Sequence, residues 1–336
     1  MKGIESNAPD IQRVLIVGCG NIAGGFDERC ELRDSPFTHA GAYLRDGRFN
    51  VTACIEPNDI RRKEFMSAWS VPSGFKSIDD LSDSYGRNSR QFDVISICSP
   101  TDFHAHDLEM ALKLHPKIIF CEKPVTTSIE DTERLVRECN KTGISLAVNY
   151  TRRWDPDILK LKSEIAAGKW GELRSVVGIY NKGILNNGSH MLDLLHFLIG
   201  PVTLTNVGVP VIDYSPHDPT IPVSLEGENT LPIHLTCGHA DDYAVFELQL
   251  IFSSGILTME EGGMYWNRRS SIESEIFNGY RQLGNSTRWH GNYPKSMLHA
   301  VDNIYRAIAS GAQLASNGES ALSVQRVCTE ILQESG

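Results

Sequence analysis

Residues 13–25 read RVLIVGCGNIAGG, an apolar, β-rich run followed by closely spaced glycines. Gly18, Gly20 and Ala23 have the G-x-G-x-x-A spacing that follows the first strand of dinucleotide-binding units. The first glycine permits a tight bend, the second lets a pyrophosphate approach the backbone, and the small third residue lets the helix pack on the strand. The stretch therefore predicts a dinucleotide-binding turn, with an ordinary tight strand–helix turn as the alternative.

Four more short apolar runs follow this turn, separated by stretches of helical pattern. The runs are VTACIEP (51–57), FDVISICSP (92–100), KIIFCEKP (117–124) and ISLAVNY (144–150). Unalternated Val/Ile-rich runs are typical of parallel strands buried on both faces. One intervening helix is predicted over 128–142, capped by Ser128 and ended by Gly143. Together these elements predict an α/β fold whose N-terminal domain, residues 1–149, is a doubly wound parallel sheet.

The hydrophobic pattern changes after Tyr150, where the strands lengthen and alternate. YAVFELQLIF (243–252), SSG and ILTMEEGGMYW (256–266) together predict an antiparallel hairpin. Two helices are predicted near the C-terminus, over 295–310 and 320–333. These patterns predict a second domain that spans residues 150–336.

The composition narrows the class of partners. The 336 residues carry a net charge of −10, which argues against nucleic acid or an anionic membrane as partner. The eight cysteines form no C-x-x-C pair, so they are expected to be buried free thiols in a reducing compartment. The polar start of the chain and the lack of an apolar run of about 18 residues predict a soluble cytoplasmic protein. No cluster of metal ligands stands out, and no metal is expected.

An acidic residue follows the second apolar run. Glu56 lies where dinucleotide-binding domains place the carboxylate that binds the adenosine ribose, although further along the chain than the usual ~20 residues. The intervening stretch GGFDERCELRDSPFTHAGAY is interpreted as an insertion between the turn and the helix proper. A carboxylate repels a 2′-phosphate, so NAD is favoured over NADP. Arg61 and Arg62 lie nearby and could bind a 2′-phosphate, so NADP remains an alternative cofactor. For Glu56 itself, the alternative is a solvated residue at the end of a strand.

A lysine follows a later buried run. Lys123, in CEKPV, is predicted at the carboxyl end of a strand, where open α/β sheets bind ligands. There its ammonium could hold a substrate hydroxyl and stabilise developing alkoxide charge. A solvated surface lysine is the alternative.

Several motifs in one order resemble a known family. GCGNIA, CSPTDFH (98–104), CEKP, NYTRRWDP (149–156) and NKGILNNGSHMLDLL (181–195) together resemble the glucose-fructose oxidoreductase / inositol dehydrogenase / MocA family over nearly the whole chain. The resemblance implies an N-terminal Rossmann domain and a C-terminal α/β domain with a large, mostly antiparallel sheet. It also implies a homo-oligomer, dimer or tetramer, with a small-molecule sugar or sugar-nucleotide substrate.

The resemblance also implies roles for individual residues. Lys123 is the expected catalytic lysine and His190 the expected acid–base group. The expected cofactor-binding residues are Gly18, Gly20, Asn21, Ile22, Glu56, Ser99, Pro100, Thr101, His104, Glu122 and Lys123. The expected substrate-binding residues are Lys123, Arg153, Asn186, Asn187 and His190. Two further histidines, His106 and His196, are expected to be structural.

One position departs from the family pattern. Asn186 stands where an aspartate is common, and an amide cannot take up a proton at neutral pH. A Lys–Asp–His relay is therefore not intact, and His190 would work with Lys123 alone or with groups of the substrate. Asn186 and Asn187 could bind sugar hydroxyls or an N-acetyl group, or simply cap the helix. Asp193 is expected to face His190 or packed structure.

The leading hypothesis is an NAD(P)-dependent oxidoreductase that moves a hydride between a sugar hydroxyl carbon and nicotinamide. NNGSHMLDLLHFLIG (186–200) resembles family members of surface-polysaccharide and nonulosonic-acid pathways, and this resemblance favours a nucleotide-linked or acetamido sugar. The alternatives are a polyol or free-sugar dehydrogenase, a cofactor-binding sensor without turnover, and a lyase or glycosidase that recycles its NAD.

Overall fold

The computed structural model describes residues 10–28, 35–85 and 91–336, and Cys30 lies outside these ranges. Contacts group the chain into two compact units. The first comprises Met1–Asn149 with Met297–Gly318, and the second comprises Tyr150–Ser296 with Glu319–Gly336. The second unit therefore differs from the predicted domain 150–336, since residues 297–318 group with the first unit.

The first unit contains a six-stranded parallel sheet in the order β3-β2-β1-β4-β5-β6. Its strands are β1 (Gln12–Val17), β2 (Phe49–Ile55), β3 (Ser73–Phe75), β4 (Val94–Ile97), β5 (Ile118–Cys121) and β6 (Ser145–Val148). Its helices are α1 (His39–Asp46), α2 (Asp59–Trp69), α3 (Ile78–Tyr85), α4 (Thr101–Lys113), α5 (Ile129–Thr142) and α8 (Ser296–Ser310). The strand order reverses between β1 and β4, as in Rossmann folds.

The central strands of this sheet are buried on both faces. Every residue of β4 and of β5 is buried, so helices cover both sides of the sheet. This burial explains the unalternated apolar runs of the sequence. The predicted α/β fold with a Rossmann domain is confirmed.

Local capping signals set the ends of α5. The Ser128 hydroxyl accepts a hydrogen bond from the Asp131 amide, and Gly143 ends the helix in the left-handed region with φ of 70°. Both features satisfy backbone groups that have no partner inside the helix. The predicted helix over 128–142 is confirmed to within one residue.

The helix after the glycine turn is shorter than the motif suggests. Only Asn21–Gly25 is helical there, and α1 begins as late as His39. The predicted insertion between them falls partly on residues 29–34, outside the described ranges. Thr38 caps α1, because its hydroxyl oxygen accepts a hydrogen bond from the Gly41 amide. Asp27 holds this capping residue, because its Oδ2 accepts hydrogen bonds from the Thr38 amide and hydroxyl.

The second unit contains a nine-stranded mixed sheet. Eight strands lie in the order β16-β15-β14-β13-β7-β12-β11-β8, and β17 pairs with β15. The strands are β7 (Leu173–Tyr180), β8 (Thr203–Val207), β11 (Val223–Gly227), β12 (Leu231–Cys237), β13 (Phe246–Phe252), β14 (Gly255–Glu260), β15 (Tyr265–Glu273), β16 (Arg281–Leu283) and β17 (Thr287–His290). A separate pair is formed by β9 (Val211–Ser215) and β10 (Asp218–Thr220). Only the β7–β12 pairing is parallel among the described pairings of this sheet, which confirms a large, mostly antiparallel sheet.

Three helices belong to this unit: α6 (Pro156–Ala166), α7 (Ser189–Ile199) and α9 (Gly318–Glu334). The predicted hairpin is confirmed as β13 and β14, which pair antiparallel. Alternate residues of β13 are buried, so one face of this strand packs into the core. Within the described ranges, no helix is long and apolar enough to cross a membrane.

Candidate active site

The glycine turn after β1 has the geometry that its spacing predicts. Gly18 has φ of +84°, and a Cβ there would lie 2.5 Å from the Ser99 amide nitrogen. At Gly20, by contrast, a Cβ would meet no described atom within 4 Å. Ala23 is fully buried. Gly18 is thus required by the protein itself, whereas Gly20 leaves an open approach to the backbone, which suits a bound pyrophosphate.

Several predicted residues lie directly after parallel strands of the first unit. Gly18 follows β1, Glu56 follows β2, Ser99 lies just beyond β4, and Lys123 lies just beyond β5. Since the carboxyl ends of parallel strands share one edge, the fold brings these residues to the edge where open α/β sheets bind ligands. Asn21 is exposed, and Ile22 and Thr101 are half-buried.

Glu56 is buried and tied to the glycine turn. Its Oε2 accepts a hydrogen bond of 3.1 Å from the Cys19 amide, and its Oε1 accepts one of 3.0 Å from the Asn58 amide. The exposed Arg61 guanidinium lies 3.8 Å from Oε2. The carboxylate is therefore fixed beside the turn, with a cation next to it.

His104 ties two of these strand ends together. Its ring is 1% exposed, with Nε2 2.8 Å from the Ser99 carbonyl oxygen and Nδ1 2.8 Å from the Pro124 carbonyl oxygen. Both contacts are hydrogen bonds only when both ring nitrogens carry protons. His104 thus holds the loops that carry Ser99 and Lys123. Neither ring nitrogen is left for a direct hydrogen bond to a cofactor.

Glu122, next to Lys123, belongs to a buried polar chain. Its Oε1 lies 2.9 Å from His39 Nε2 and accepts a 2.6 Å hydrogen bond from Asn149. The chain continues from His39 to Ser96, whose hydroxyl contacts the Tyr43 hydroxyl at 2.7 Å. Burial alone would raise the pKa of Glu122, but the His39 contact and the Asn149 amide hold it below its usual value. A charged carboxylate therefore lies beside Lys123.

Two residues of this edge, His39 and Asp107, are not among those predicted from the sequence. His39 lies 83 residues from Glu122 in the chain, and no local motif links them. Asp107 accepts a 2.6 Å hydrogen bond from the Ser99 hydroxyl, and burial raises the pKa of Asp107. Asp107 stands two turns into α4, so a helical projection from Ser99 could have suggested it.

In the second unit, the stretch before α7 forms a wide helical turn over Gly183–Gly188. Asp218 holds this turn, because its carboxylate accepts hydrogen bonds from the amides of Leu185 (2.7 Å) and Asn186 (3.0 Å). Asn186 and Asn187 are half-buried. Asp218 comes from β10, a strand that the sequence pattern did not reveal.

His190 and Asp193 lie on α7 but have different neighbours. The half-buried His190 ring packs edge-on against Tyr150, with 5.5 Å between ring centroids. Asp193 is buried and accepts hydrogen bonds of 2.8 and 3.0 Å from Arg153 Nε. Burial raises the pKa of Asp193 to about 7, against the lowering effect of the Arg153 guanidinium. Arg153 therefore reaches α7 through Asp193.

Comparison with known proteins identifies the relatives of the chain. A profile of the oxidoreductase family with an NAD-binding Rossmann fold matches residues 12–150. Inositol 2-dehydrogenase of Rhizobium meliloti strain 1021 is 24% identical over 255 residues, which are 68% of this chain and 74% of that enzyme. Myo-inositol 2-dehydrogenase of Thermotoga maritima is 24% identical over 160 residues, which are 48% of this chain and 42% of that enzyme. Residues 12–150 therefore form an NAD-binding Rossmann domain of the Gfo/Idh/MocA oxidoreductase family.

Solved structures share the fold over nearly the whole chain. The WlbA dehydrogenase from Bordetella pertussis, in complex with NADH and UDP-GlcNAcA, is 16% identical with a TM-score of 0.74 and covers 97% of this chain and 96% of that one. A 3-ketoreductase from Actinomadura kijaniata, in complex with TDP-benzene and NADP, is 17% identical with a TM-score of 0.74 and covers 96% and 98%. The matched Rossmann domain identifies the protein as an NAD(P)-dependent oxidoreductase.

The described cysteines and candidate metal ligands are scattered rather than clustered. Seven described cysteines are free thiols, six of them buried and Cys237 half-buried. The described part of the chain contains no group of three or more His, Cys, Asp or Glu side chains placed to hold a metal ion.

Glu56 allows a test of cofactor choice. Glu56→Gln is expected to lower the NAD-over-NADP preference about tenfold or more, because the variant loses the charge that repels a 2′-phosphate while Arg61 stays. Titration of the protein with NADH and NADPH, followed by nicotinamide fluorescence, measures both dissociation constants. The exposed Glu64→Gln on α2 is the control, and Arg61→Ala added to Glu56→Gln should remove any gain in NADPH affinity. An unchanged ratio in Glu56→Gln contradicts the assignment.

His196, on α7, predicts a pH dependence of stability. Burial, with the nearby Arg153 charge, lowers its pKa from 6.5 to about 4, and its buried Nε2 has no described partner. The unfolded chain takes up a proton near pH 6.5 and the folded chain only near pH 4. Stability is therefore fully present above pH 6.5 and is lost as the pH falls towards 4, by up to roughly 3 kcal/mol.

His196→Leu should reduce this loss. Urea denaturation at pH 7.5 and at pH 5 measures the free energy of unfolding of both proteins. As the pH is lowered, the unchanged protein should lose more of this free energy than His196→Leu does. His217→Leu, at an exposed histidine, is the matched control. The same pH profile in the unchanged protein and His196→Leu would refute the assignment.

Proposed function

We propose that this oxidoreductase acts on a hydroxyl carbon of a sugar, and that the sugar is nucleotide-linked or acetamido. Lys123, placed beside the buried His39–Glu122 pair at the carboxyl edge of the Rossmann sheet, carries this proposal. The bound nicotinamide supplies the hydride chemistry in either direction. Solved structures of the same fold hold UDP-GlcNAcA and TDP-benzene, which supports a nucleotide-linked substrate, in surface-polysaccharide synthesis for example.

The cofactor-binding residues prepare the edge of the sheet. Gly18, Gly20, Asn21 and Ile22 form the turn that receives the pyrophosphate, and Glu56 accepts hydrogen bonds from ribose hydroxyls. Ser99, Pro100 and Thr101 line the nicotinamide side. His104 keeps the loops that carry Ser99 and Lys123 in place, because its two ring nitrogens contact the carbonyl oxygens of Ser99 and Pro124.

Lys123 and His190 manage the proton in this proposal. The Lys123 ammonium donates a hydrogen bond to the reacting oxygen and stabilises negative charge there. His190 exchanges the hydroxyl proton as general acid or base. Asn186 takes no proton, so the relay passes through His190 and the amides of Asn186 and Asn187 bind hydroxyl or acetamido groups. Arg153 shapes the substrate pocket, and its hydrogen bond to Asp193 holds the guanidinium in position.

The test is nicotinamide absorbance during incubation with NAD or NADP and a panel of nucleotide sugars, acetamido sugars, free sugars and polyols. Turnover with a nucleotide or acetamido sugar supports the proposal. Turnover with myo-inositol alone would favour the polyol alternative, which the 24% identical inositol dehydrogenases support. Tight cofactor binding with silence across the panel, in both directions, would overturn the proposal in favour of a sensor or a recycled cofactor.

His190 supplies a second test with the substrate so found. His190→Asn is expected to lower kcat by roughly 10²- to 10⁴-fold and to flatten one limb of the pH–rate profile. The exposed His234→Asn on β12 is the matched control and should leave kcat unchanged. A kcat for His190→Asn within threefold of the unchanged enzyme contradicts an acid–base role.

A further inference from the structure

The second unit contains a cavity of about 550 Å³ that the proposed reaction does not use. One wall is a face of α6, because Asp157, Lys160, Leu161 and Glu164 recur at helical spacing. The floor comes from alternate residues of β15, which point to the same face of the sheet. The cavity therefore lies between α6 and the β15–β17 edge of the sheet.

The floor is polar on a sheet face that is apolar elsewhere. On β14, Leu257 and Met259 are 3% and 1% exposed and belong to the core. Arg268 of β15 pairs directly with Leu257 across the two strands, so both side chains lie on this face. Ser270 follows on the same face of β15 and also lines the cavity. Arg268 is exposed and Ser270 half-buried, so this part of the sheet face is open to a ligand rather than packed in the core.

Two cations line the cavity without an ion pair. Among residues 10–28, 35–85 and 91–336, neither the Arg268 guanidinium nor the Lys160 ammonium has a carboxylate oxygen within 4.0 Å. Arg268 lies over the Trp170 ring, 4.8 Å from its centroid.

The two acidic side chains of the wall, in contrast, are already engaged. Glu164 pairs with Lys169 and accepts a 2.9 Å hydrogen bond from the Trp170 indole. Asp157 accepts a 2.7 Å hydrogen bond from the Asn292 amide. The charge left over inside the cavity is positive, in a protein whose net charge is −10.

Aromatic side chains complete the lining. Trp266 and Trp289 are direct partners across β15 and β17, so their side chains lie on the same face of the sheet. Trp266 is 2% exposed, and its indole Nε1 has no hydrogen-bond partner in the described part of the chain. Trp289 is 39% exposed and offers a free ring surface. The lining thus combines an accessible aromatic ring and two cations.

We propose that this cavity binds a nucleoside diphosphate. The base stacks on Trp289. The phosphates pair with Arg268 and Lys160, two cations that have no carboxylate partner among the described residues. This site is separate from the glycine turn, and the proposal does not depend on the proposed reaction.

Calorimetric titration of the protein with UDP tests the site, with NAD at saturation so that the Rossmann turn is occupied. UDP should bind, and Arg268→Ala and Trp289→Ala should each weaken binding tenfold or more. Arg174→Ala is the matched control, because Arg174 is an exposed strand arginine that pairs with Glu172 and does not line the cavity. Far-UV circular dichroism and the melting temperature show that each variant is folded.

Three outcomes would overturn the proposal. The first is no UDP binding at millimolar concentration, and the second is equal affinity in the unchanged protein and both variants. The third is that inorganic phosphate or N-acetylglucosamine binds as tightly as UDP, because the cavity then recognises an anion or a neutral sugar alone. Each readout is binding without turnover, so its failure is distinct from a failure of the dehydrogenase assignment.

Discussion

Lys123→Ala is expected to lower kcat about 10³-fold or more, with NAD affinity within threefold of the unchanged enzyme. Lys123 lies just beyond β5, and in the proposed mechanism its ammonium meets developing charge on the reacting oxygen, a role that contributes roughly 10²- to 10⁴-fold in enzymes. Alanine removes this charge and leaves Glu122 with its His39 and Asn149 contacts. Steady-state kinetics with the identified substrate and NADH fluorescence titration measure the two quantities.

The same strand provides the control. Lys117 lies at the other end of β5, where it pairs with Asp93 at 3.0 Å, so Lys117→Ala should leave kcat unchanged and alter stability by about 1 kcal/mol or less. Lys123→Arg keeps the charge but not the compact ammonium and should recover only part of the rate. A Lys123→Ala enzyme that retains more than a tenth of the kcat would exclude the lysine from catalysis.

Gly18→Ala and Gly20→Ala are expected to separate folding from cofactor binding. At Gly18 a Cβ would lie 2.5 Å from the Ser99 amide nitrogen and 2.8 Å from the Cys98 carbonyl carbon, both backbone atoms that have little room to move. The φ of +84° adds strain for any residue with a Cβ. Gly18→Ala should therefore cost roughly 3 kcal/mol or more of stability and abolish NAD binding.

Gly20→Ala should behave differently, because its Cβ would meet no described atom within 4 Å. Its stability should stay within about 1 kcal/mol of the unchanged protein, while NAD affinity falls at least tenfold because the methyl group takes the space of the pyrophosphate. Urea denaturation and NADH titration measure both variants. Normal NAD affinity in Gly20→Ala would show that the pyrophosphate does not approach this residue.

The sequence predicts part of the site because chemistry and chain position coincide there. Lys123 and Glu56 are recognised since each directly follows an apolar run, and the carboxyl ends of parallel strands share one edge. Their partners are not recognised. His39 meets Glu122 across 83 residues, and the Arg153–Asp193 pair spans 40 residues, separations over which hydrophobic periodicity carries no information.

The sequence by itself determined the glycine turn, the buried parallel strands, the caps of α5 and the β13–β14 hairpin. Each of these depends on backbone conformation or on burial within one element, so a period of 2 or 3.6 residues and the identity of a capping residue are sufficient. Only the tertiary structure decided that His104 bridges two loops, that Asp218 holds the turn before α7, and that α6 and β15 enclose a tryptophan-lined cavity. Such contacts depend on how elements far apart in the chain pack, because side-chain hydrogen bonds and cavities form only once the elements that carry them are brought together.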